Sequence, residues 1–363
     1  MSNPKVSIII PVYNTEQYLY KCLNSAIVQT LKEIEIIVIN DASTDSSLEM
    51  IQEFQKIDKR IQLINFTKNK GNGIGRNTAL KQAKGKYVLF LDSDDWLEKR
   101  AAEICYKKTT KGKHDVLQLS YNRIIAVNRF FTDKIEIKPC LAVVHKLYNP
   151  FFFKYWLMGT LGFGTTPWNY FYKKTFLIDN DIYFSEGVYF EDLCFVAKVV
   201  YHIRRLGSLD FPVYNYRVLR EGAITSKLNK KKIVDLYKVH VHLKEFMLEK
   251  DIFKKYEKEY LIRFLLQCVE YSFLGYFRMK KEDCDRELGE FMDDLRKSDI
   301  MRIDSILILK DALQEYSVTK KNIKIVKNSY HFLIAVRKNY KTYRFVYKTR
   351  YCIYAFFTKI IKN

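Results

Sequence analysis

The chain has 363 residues, of which 48% are hydrophobic and 28% are charged. This composition excludes an intrinsically disordered protein, and the length suits two or three domains. The formal net charge of +21 predicts an anionic partner, such as a phosphate-bearing substrate, an acidic membrane or a nucleic acid. The seven cysteines are odd in number and include no CxxC pair. We therefore expect free thiols in a reducing compartment.

In chain order, the first part of the sequence alternates short apolar runs with amphipathic segments. Buried strands are predicted at VSIIIPVY, IEIIVIN, IQLINF and YVLFLDSDD, which begin at Val6, Ile34, Ile61 and Tyr87. Helices are predicted between them, at Tyr18–Gln29, Leu48–Ile57 and Asn72–Ala83. Strands separated by single helices are typical of βαβ units. The sequence therefore predicts an α/β fold in which helices flank a mostly parallel, Rossmann-like central sheet.

The pattern becomes helical from about residue 229 and remains so. Apolar residues repeat with a period of about 3.6 in three segments, Lys230–Lys250, Tyr256–Tyr276 and Lys281–Arg296. We therefore divide the chain into an α/β domain, residues 1–228, and a mainly helical C-terminal region, residues 229–363. A tail from about residue 316 contains 12 Lys or Arg residues, several aromatic residues and no acidic residue.

Three acidic residues crowd the end of the fourth predicted strand, namely Asp92, Asp94 and Asp95. Like charges this close repel one another unless a cation or strong hydrogen-bond donors compensate them. A hard divalent cation does so, and it keeps coordination positions open for substrate phosphates. The alternative is a solvated acidic turn, because Asp is common in turns. Tyr13 and Asp41 also lie at the carboxyl ends of predicted strands, where ligands of parallel sheets bind.

Six segments resemble, in the same order, motifs of the family 2 glycosyltransferases of the GT-A fold. They are VSIIIPVYN, IIVINDASTD, GNGIGRNTAL, GKYVLFLDSDDW, PWNYFY and FSEGVYFEDLCF. The resemblance covers about residues 5–225 and is nearest to bacterial enzymes that build capsule, O-antigen or lipooligosaccharide. It implies that residues 1–228 form a GT-A catalytic domain. The nucleotide-binding half would be residues 1–120 and the acceptor half residues 121–228.

The resemblance also implies a nucleotide-diphosphate sugar donor, usually a UDP-sugar, held with Mn²⁺ or Mg²⁺ by a DxD motif. In this sequence Asp92 and Asp94 correspond to that motif and would bind the metal. The implied nucleotide-binding residues are Pro11, Tyr13, Asp41, Arg76, Asp92 and Ser93. Among these, Tyr13 would stack on the base. The sequence departs from the family by having Asn40-Asp41 where an Asp-Asp pair is usual, but it retains the second acid.

The pair Glu191-Asp192 matches a Glu-Asp pair of the family, and the resemblance implies that Asp192 is the catalytic base. Glu191 is the alternative base, and both acids would also suit the first turn of a helix. The base accepts the proton of an acceptor hydroxyl as that oxygen attacks the anomeric carbon opposite the leaving nucleotide. A single displacement of this kind inverts the anomeric centre, through a transition state with oxocarbenium character.

Three further residues fall beside the acceptor channel that the resemblance implies, namely Trp168, Asn169 and Arg217. A Trp side chain stacks well on sugar rings, but a core position explains Trp168 equally well. Arg217 would pair with a phosphate. The resemblance therefore predicts an inverting hexosyl- or N-acetylhexosaminyltransferase. Its acceptor would be a hydroxyl of a bacterial surface glycan or of a lipid-linked glycan.

The basic, aromatic tail suits the anionic surface of a membrane. Two alternatives are a helix face that packs on the preceding domain and a segment that binds RNA. Because enzymes of this family type extend lipid-linked glycans, we expect a cytoplasmic protein bound peripherally to the inner face of the plasma membrane. A nucleic acid partner is not expected, and the sequence is compatible with a homo-oligomer. We find no run of about 20 apolar residues that would span a bilayer.

Two other functions are compatible with parts of the sequence. A nucleotidyltransferase that makes nucleotide sugars usually has a Gly-rich, basic phosphate loop after its first strand, but this chain has PVYNTEQY there. A nucleotide-sugar-binding or RNA-binding protein without catalysis would not need Asp92, Asp94 and Asp192 together. The sequence therefore favours the enzyme.

Overall fold

The computed structural model describes residues 3–126, 132–138, 153–154, 156–157, 164–218, 229–278, 286–297 and 333–334. The chain divides into two compact units. The α/β unit consists of Met1–Trp156 and Leu161–Ser226, and the helical unit consists of Leu157–Thr160 and Lys227–Asn363. Apart from residues 333–334, the basic tail predicted from residue 316 lies outside the described residues.

The α/β unit alternates strands and helices along its first half, as the sequence predicts. In chain order the described elements are β1 (Val6–Val12), α1 (Glu16–Ile27), β2 (Ile34–Asn40), α2 (Ser47–Ile57), β3 (Ile61–Asn65), α3 (Asn72–Gln82), β4 (Tyr87–Phe90), β5 (Trp96–Leu97), α4 (Ala101–Gly112), β6 (Val116–Ala126), β7 (Thr132–Lys138), β8 (Tyr170–Lys173), α5 (Lys174–Asp179), α6 (Asp192–His202) and β9 (Leu206–Val218). A short 3₁₀ turn, Pro167–Asn169, precedes β8.

The nine strands in the described residues belong to one sheet, in the order β3-β2-β1-β4-β8-β6-β9-β5, with β7 beside β6. The first four of these strands pair in parallel, which confirms the predicted βαβ arrangement. Beyond β4 the sheet is mixed, because β8 runs antiparallel to both β4 and β6, whereas β6 and β9 are parallel. The parallel part therefore forms one half of the sheet rather than the whole of it.

Strands β1 and β2 form the centre of the core. Each is buried at all seven positions, as expected for parallel strands covered by helices on both faces. The one acidic residue within them, Glu35, accepts hydrogen bonds from Ser7 Oγ at 2.6 Å, the Gly85 amide at 2.9 Å and Gln62 Nε2 at 3.0 Å. These bonds satisfy a carboxylate that would otherwise be costly to bury.

The sheet opens between β1 and β4 at its carboxyl end. The two strands pair only as far as Ile9 and Phe90, whereas β1 continues beside β2 to Val12. The Leu91 amide donates to Ile9 O at 2.9 Å, so the backbone of Pro11, two residues later, also faces the side that β4 has left. Proline has no N–H to donate, but β4 no longer runs beside β1 at this position, so the sheet loses no hydrogen bond.

The helical unit contains α7 (Lys230–Glu249), α8 (Phe253–Arg263), α9 (Tyr271–Arg278) and α10 (Arg286–Lys297) in its described part. A π-helical segment, Phe264–Glu270, joins α8 to α9. The sequence predicted these helices but not the π-helical segment, because i→i+5 hydrogen bonding is rare and has no simple sequence signal. Within the described residues, no helix is both long enough and apolar enough to pass through a bilayer.

A buried histidine lies in the core of the helical unit. His240 is 0% exposed, and neither of its ring nitrogens has a hydrogen-bond partner among the described residues. Its ring packs edge-on against Phe264, with centroids 5.2 Å apart. Burial, and to a smaller extent the charge of Arg263, lowers the pKa of the imidazole to about 3. The folded unit therefore accommodates only the neutral ring.

We predict that His240 makes the unfolding free energy depend on pH. Because its pKa is lowered in the folded state, its contribution is retained above the unfolded pKa of about 6.5 and is lost as the pH falls below that value. Between about pH 7.5 and about pH 5.5 the loss is about 1.4 kcal/mol. Measured by urea unfolding, the His240→Leu variant should lose less unfolding free energy than the wild type between these two pH values. An identical pH dependence in both proteins would contradict the prediction.

Candidate functional site

The candidate site lies at the carboxyl ends of β1, β2 and β4, where the sheet opens. Tyr13 follows β1 and is 45% exposed, and Asp41 follows β2 and is buried. The segment after β4 carries Asp92, Ser93 and Asp94. The strand order brings these three segments together, because β1 lies between β2 and β4.

Asp41 ties the loop before α3 to the end of β2. Its Oδ1 accepts the Lys70 amide at 2.7 Å, and its Oδ2 accepts the Gly71 amide at 2.8 Å. Gly71 has a φ of 86°, which favours glycine, and α3 begins at the next residue. The hydrogen bond from Asp41 to a nucleotide base remains a prediction, while its contacts with the loop fix the start of α3.

Helix α3 also holds the segment that leads to Glu191. A β-carbon added at Gly73 would clash with the carbonyl oxygen of Ser185, so the helix and this segment are in backbone contact. Asn77 Nδ2 donates to Phe184 O at 3.0 Å, and the Phe184 amide donates back to Asn77 Oδ1 at 2.9 Å. This two-way clamp fixes the segment against the buried face of α3.

Arg76, on the same helix, joins two acidic residues that are distant in sequence. Its Nη1 donates to Glu191 Oε1 at 2.7 Å, and its Nη2 donates to Asp92 Oδ1 at 2.8 Å. The residue is 3% exposed. Burial alone would lower the pKa of this guanidinium, but the charges of Asp92, Glu191 and Asp192 more than reverse the effect and raise it. Arg76 is therefore a fixed positive charge at the centre of the site.

Two neighbouring acids have perturbed pKa values: Glu191, which immediately precedes α6, and Asp192, which is its first residue. Burial raises the pKa of Glu191, and the charge of Arg76 opposes this shift. Burial also raises the pKa of Asp192, the neighbouring charge of Glu191 raises it further, and Arg76 again opposes the shift. A buried carboxylate whose pKa is raised can take up a proton near neutral pH, as a general base requires.

The acids after β4 have different surroundings. Asp95 is 1% exposed and accepts hydrogen bonds from the Tyr214 hydroxyl and the Arg217 amide, both at 2.7 Å. Burial raises its pKa, and the charges of Asp94 and Asp92 raise it further. Asp95 thus anchors this segment to β9, whereas Asp92 and Asp94 are only partly buried.

Ser93 is directed into the protein instead. Its Oγ accepts a hydrogen bond from Thr15 Oγ1 at 3.0 Å, and the residue is 6% exposed. The bond connects the acidic segment to the start of α1. A contact between Ser93 and a nucleotide, which the family resemblance implies, stays a prediction.

Asp92 and Asp94 fit a divalent cation that also binds substrate phosphates. Among the described residues, no group of three or more His, Cys, Asp or Glu side chains forms a complete metal site. Magnesium-like ions commonly use one or two carboxylates and complete their coordination with water and phosphate oxygens. Burial is the main cause of the raised pKa of Asp95, and a cation bound by Asp92 and Asp94 would oppose only the smaller part that comes from their charges.

The three predicted acceptor residues have different environments. Trp168 is 4% exposed and stacks against Tyr214 and Tyr216, with ring centroids 4.6 and 5.0 Å away, which favours the core interpretation. Asn169 is 6% exposed, and its Oδ1 has no hydrogen-bond partner among the described atoms. Arg217 lies beside the acidic segment, because its Nε donates to Asp94 O at 3.0 Å.

The first half of the chain matches a known protein family. Residues 7–178 match the family model described as Glycosyl transferase family 2. The chain carries a family 2 glycosyltransferase domain. The match covers β1 to β4 and the acidic segment, and it ends before Glu191. The resemblance proposed from the sequence motifs is therefore confirmed.

Three bacterial relatives extend the comparison of the family 2 domain. Glycosyltransferase GlyA of Streptococcus pneumoniae is 48% identical over 117 residues, which cover 32% of this chain and 17% of that protein. The putative glycosyltransferase EpsH of Bacillus subtilis is 28% identical over 263 residues, or 71% and 74% of the two chains. The poly(ribitol-phosphate) beta-N-acetylglucosaminyltransferase TarS of Staphylococcus aureus is 28% identical over 338 residues, or 90% and 56%. The chain thus spans about half the length of TarS and less of GlyA.

Solved structures of TarS share the fold of this chain. The crystal structure of TarS residues 1–349 in complex with UDP-GlcNAc has a TM-score of 0.61 at 23% sequence identity. The structural alignment covers 96% of this chain and 91% of the TarS chain. A second TarS structure has a TM-score of 0.59 at 24% sequence identity, and its alignment covers 96% of this chain and 55% of the TarS chain. These similarities confirm the predicted α/β fold.

Sequence reasoning missed the structural roles of three residues at the candidate site, namely Gly73, Asn77 and Tyr214. Their contacts join segments that are about one hundred residues apart, such as Asn77 with Phe184 and Tyr214 with Asp95. A single sequence contains no direct signal for such pairs.

We predict that Gly73→Ala lowers the unfolding free energy by about 1–3 kcal/mol, because the new methyl group meets backbone that cannot easily move. Gly75→Ala, in the same helix, is the matched control. There the added carbon would lie 3.3 Å from a side-chain methyl group of Ile39, which can shift. The better helix propensity of alanine, worth up to about 1 kcal/mol, should offset that contact. Urea unfolding compares the variants, and equal stability would refute the close-contact interpretation.

Proposed function

We propose that the chain is an inverting glycosyltransferase. It would transfer a hexosyl or N-acetylhexosaminyl group from a nucleotide-diphosphate donor, with UDP-sugars as the first candidates, to a hydroxyl of a bacterial surface glycan. One observation carries the proposal: Arg76 joins Asp92, at the predicted donor edge, to Glu191, beside the predicted base Asp192. The names of the relatives support the reaction class, and the UDP-GlcNAc bound in the TarS complex supports the donor class.

The donor would bind in the opening between β1 and β4. The exposed ring of Tyr13 is available to stack on the base. Pro11 forms part of the strand that borders this opening, and Asp41 holds the neighbouring loop through the amides of Lys70 and Gly71. Asp92 and Asp94 would hold Mn²⁺ or Mg²⁺ against the diphosphate, and such an ion neutralises the negative charge that develops on the leaving group.

Asp192 would accept the proton of the acceptor hydroxyl. As this proton leaves, the hydroxyl oxygen uses an electron pair to form a bond to the anomeric carbon. The bond from that carbon to the diphosphate oxygen breaks, and its electron pair leaves with the nucleoside diphosphate. Attack and departure on opposite faces invert the centre. Glu191 is engaged by Arg76, which makes it a positioning group for its neighbour rather than the base.

The acceptor and the location of the enzyme belong to the same proposal. TarS is named for the polymer poly(ribitol-phosphate), which supports a polymeric acceptor. Asn169 and Arg217 are the candidate acceptor-side residues, because Trp168 is buried by the tyrosines of β9. A lipid-linked acceptor would draw a cytoplasmic enzyme to the inner face of the plasma membrane, and the basic tail from residue 316 would assist through its positive charge.

We predict that Asp192→Asn lowers sugar transfer by about 10²–10⁴-fold, because the amide cannot accept the hydroxyl proton. UDP binding should be retained, since the substituted group is not among the proposed nucleotide ligands. Turnover is measured as UDP release from a panel of UDP-sugars, and binding by calorimetry. Asp179→Asn, which alters an exposed residue of α5, is the matched control.

The pH dependence gives the same prediction a second readout. Because the pKa of Asp192 is raised, kcat/KM of the wild-type enzyme should rise with pH well above the ordinary Asp pKa of about 3.9. Glu191→Gln should retain this rising limb with reduced turnover. Wild-type turnover in Asp192→Asn, or a rising limb that is lost only in Glu191→Gln, would assign the base to another residue.

We predict that Asp94→Asn reduces the manganese-dependent strengthening of UDP binding by about 10–100-fold, the range seen when groups around a metal are altered. Calorimetric titration of UDP with and without Mn²⁺ measures this difference. Glu49→Gln, an exposed change of equal charge on α2, should behave as wild type. If manganese strengthens UDP binding equally in Asp94→Asn and in wild type, Asp94 is not a ligand.

A further inference from the structure

The edge of the sheet opposite the candidate site carries a row of basic residues. We call it the basic rim and define it as Lys5, Arg60, Lys84, Lys86, Lys113, Lys173, Lys174, Arg204 and Arg205. These residues lie next to strand ends that backbone hydrogen bonds connect. The Tyr87 amide donates to Lys5 O at 3.1 Å, and the Lys174 amide donates to Lys86 O at 3.0 Å. The Asp115 amide, next to β6, donates to Arg205 O at 2.8 Å.

The rim crosses seven neighbouring strands, from β3 to β9. At about 4.8 Å between strands, the row is about 29 Å long. Its position follows from the topology, because the parallel strands begin at this edge and the antiparallel strand β8 ends there. Three rim residues have acidic partners: Lys5 pairs with Glu33, Arg60 with Asp58, and Arg205 with Asp115.

The other six rim residues have no ion pair with any described residue. Lys84, Lys86, Lys113 and Arg204 are exposed, and Lys173 and Lys174 are partly buried. Among the described residues, one of these six side chains donates a hydrogen bond, from Lys174 Nζ to the carbonyl oxygen of Ala83 at 2.8 Å. The positive charges of the rim are therefore largely uncompensated within the part of the chain that the structure describes.

The rim and the candidate site lie at opposite ends of the strands. The acids of the candidate site lie at the carboxyl end of β1, whereas the rim lies at its amino end. The seven residues of β1 separate the two edges by about 23 Å. An anion bound at the rim would not contact a donor bound at the candidate site, so the rim is a separate surface.

We propose that the basic rim docks on the surface of an anionic phospholipid bilayer. The unpaired residues are mostly lysines, whose flexible point charges suit a diffuse layer of headgroups. Recognition of a single phosphodiester chain usually employs arginine forks, but Arg60 and Arg205 of the rim are engaged by acids. Ile178, one helical turn after Lys174 on the same face of α5, is 39% exposed and adds an apolar contact beside the charges.

Vesicle binding by the full chain tests this inference. The rim variant combines Lys84→Gln, Lys86→Gln, Lys173→Gln and Arg204→Gln. The control variant removes the same charge from exposed lysines of the helical unit, with Lys238→Gln, Lys244→Gln, Lys254→Gln and Lys255→Gln. Sedimentation with vesicles of phosphatidylcholine, with and without phosphatidylglycerol, measures the partition coefficient. Circular dichroism verifies that both variants are folded.

Each basic side chain near an anionic surface contributes about 1 kcal/mol, or about fivefold. The rim variant should therefore bind phosphatidylglycerol vesicles about 10²–10³-fold more weakly than wild type, and the control variant should lose far less. Wild-type binding should require phosphatidylglycerol and weaken with added salt. Equal losses in the two variants, or a rim variant within about threefold of wild type, would overturn the proposal.

A second probe separates the membrane from a soluble polyanion. If the rim variant loses affinity for long-chain inorganic polyphosphate but binds vesicles like wild type, the rim serves a soluble polymer and the membrane proposal is wrong. Vesicle binding does not depend on the proposed glycosyl transfer. UDP release from UDP-sugars should be unchanged in the rim variant, so failure of either proposal can be recognised separately.

Discussion

The candidate site depends on the ion pairs that the buried guanidinium of Arg76 makes with two acids. A buried charge is tolerated only when partners compensate it, and here Glu191 and Asp92 do so at 2.7 and 2.8 Å. Removing one acid would leave one of the two bonded guanidinium nitrogens without its carboxylate. The two acids come from segments about one hundred residues apart, so this charge balance fixes the end of β4 relative to the start of α6. The proposed metal ligand and the proposed base are thereby held in one geometry.

Helix α3 makes this arrangement possible because it contacts both sides of the site. Before its first turn, the amides of Lys70 and Gly71 bind the carboxylate of Asp41. Along its buried face, Gly73 and Asn77 meet the segment that leads to Glu191. Neighbouring positions on a helix share a face every three or four residues, so Gly73, Arg76 and Asn77 act together. The helix is the structural link between the predicted donor half and the predicted base.

Much of this could be read from the sequence because it depends on local patterns. Continuous apolar runs predicted β1 to β4, and polar residues at strand ends predicted the edge that holds Asp41 and Asp92. Contacts between distant segments could not be predicted in this way. The bonds from Tyr214 to Asp95 and the burial of Trp168 against β9 depend on where β9 joins the sheet. The mixed pairing beyond β4 likewise depends on β8, whose apolar pattern is the same for either direction.

The contact of Gly73 with the Ser185 backbone constrains how such an enzyme can diversify. At this position any side chain would push the segment that carries the proposed base away from the helix. Substitutions that move α3 would therefore disturb the proposed donor edge and the proposed base at the same time. Variation in substrate preference is then expected in loops that do not bear on this helix. Directed evolution of the chain should accept changes there far more readily than changes at position 73.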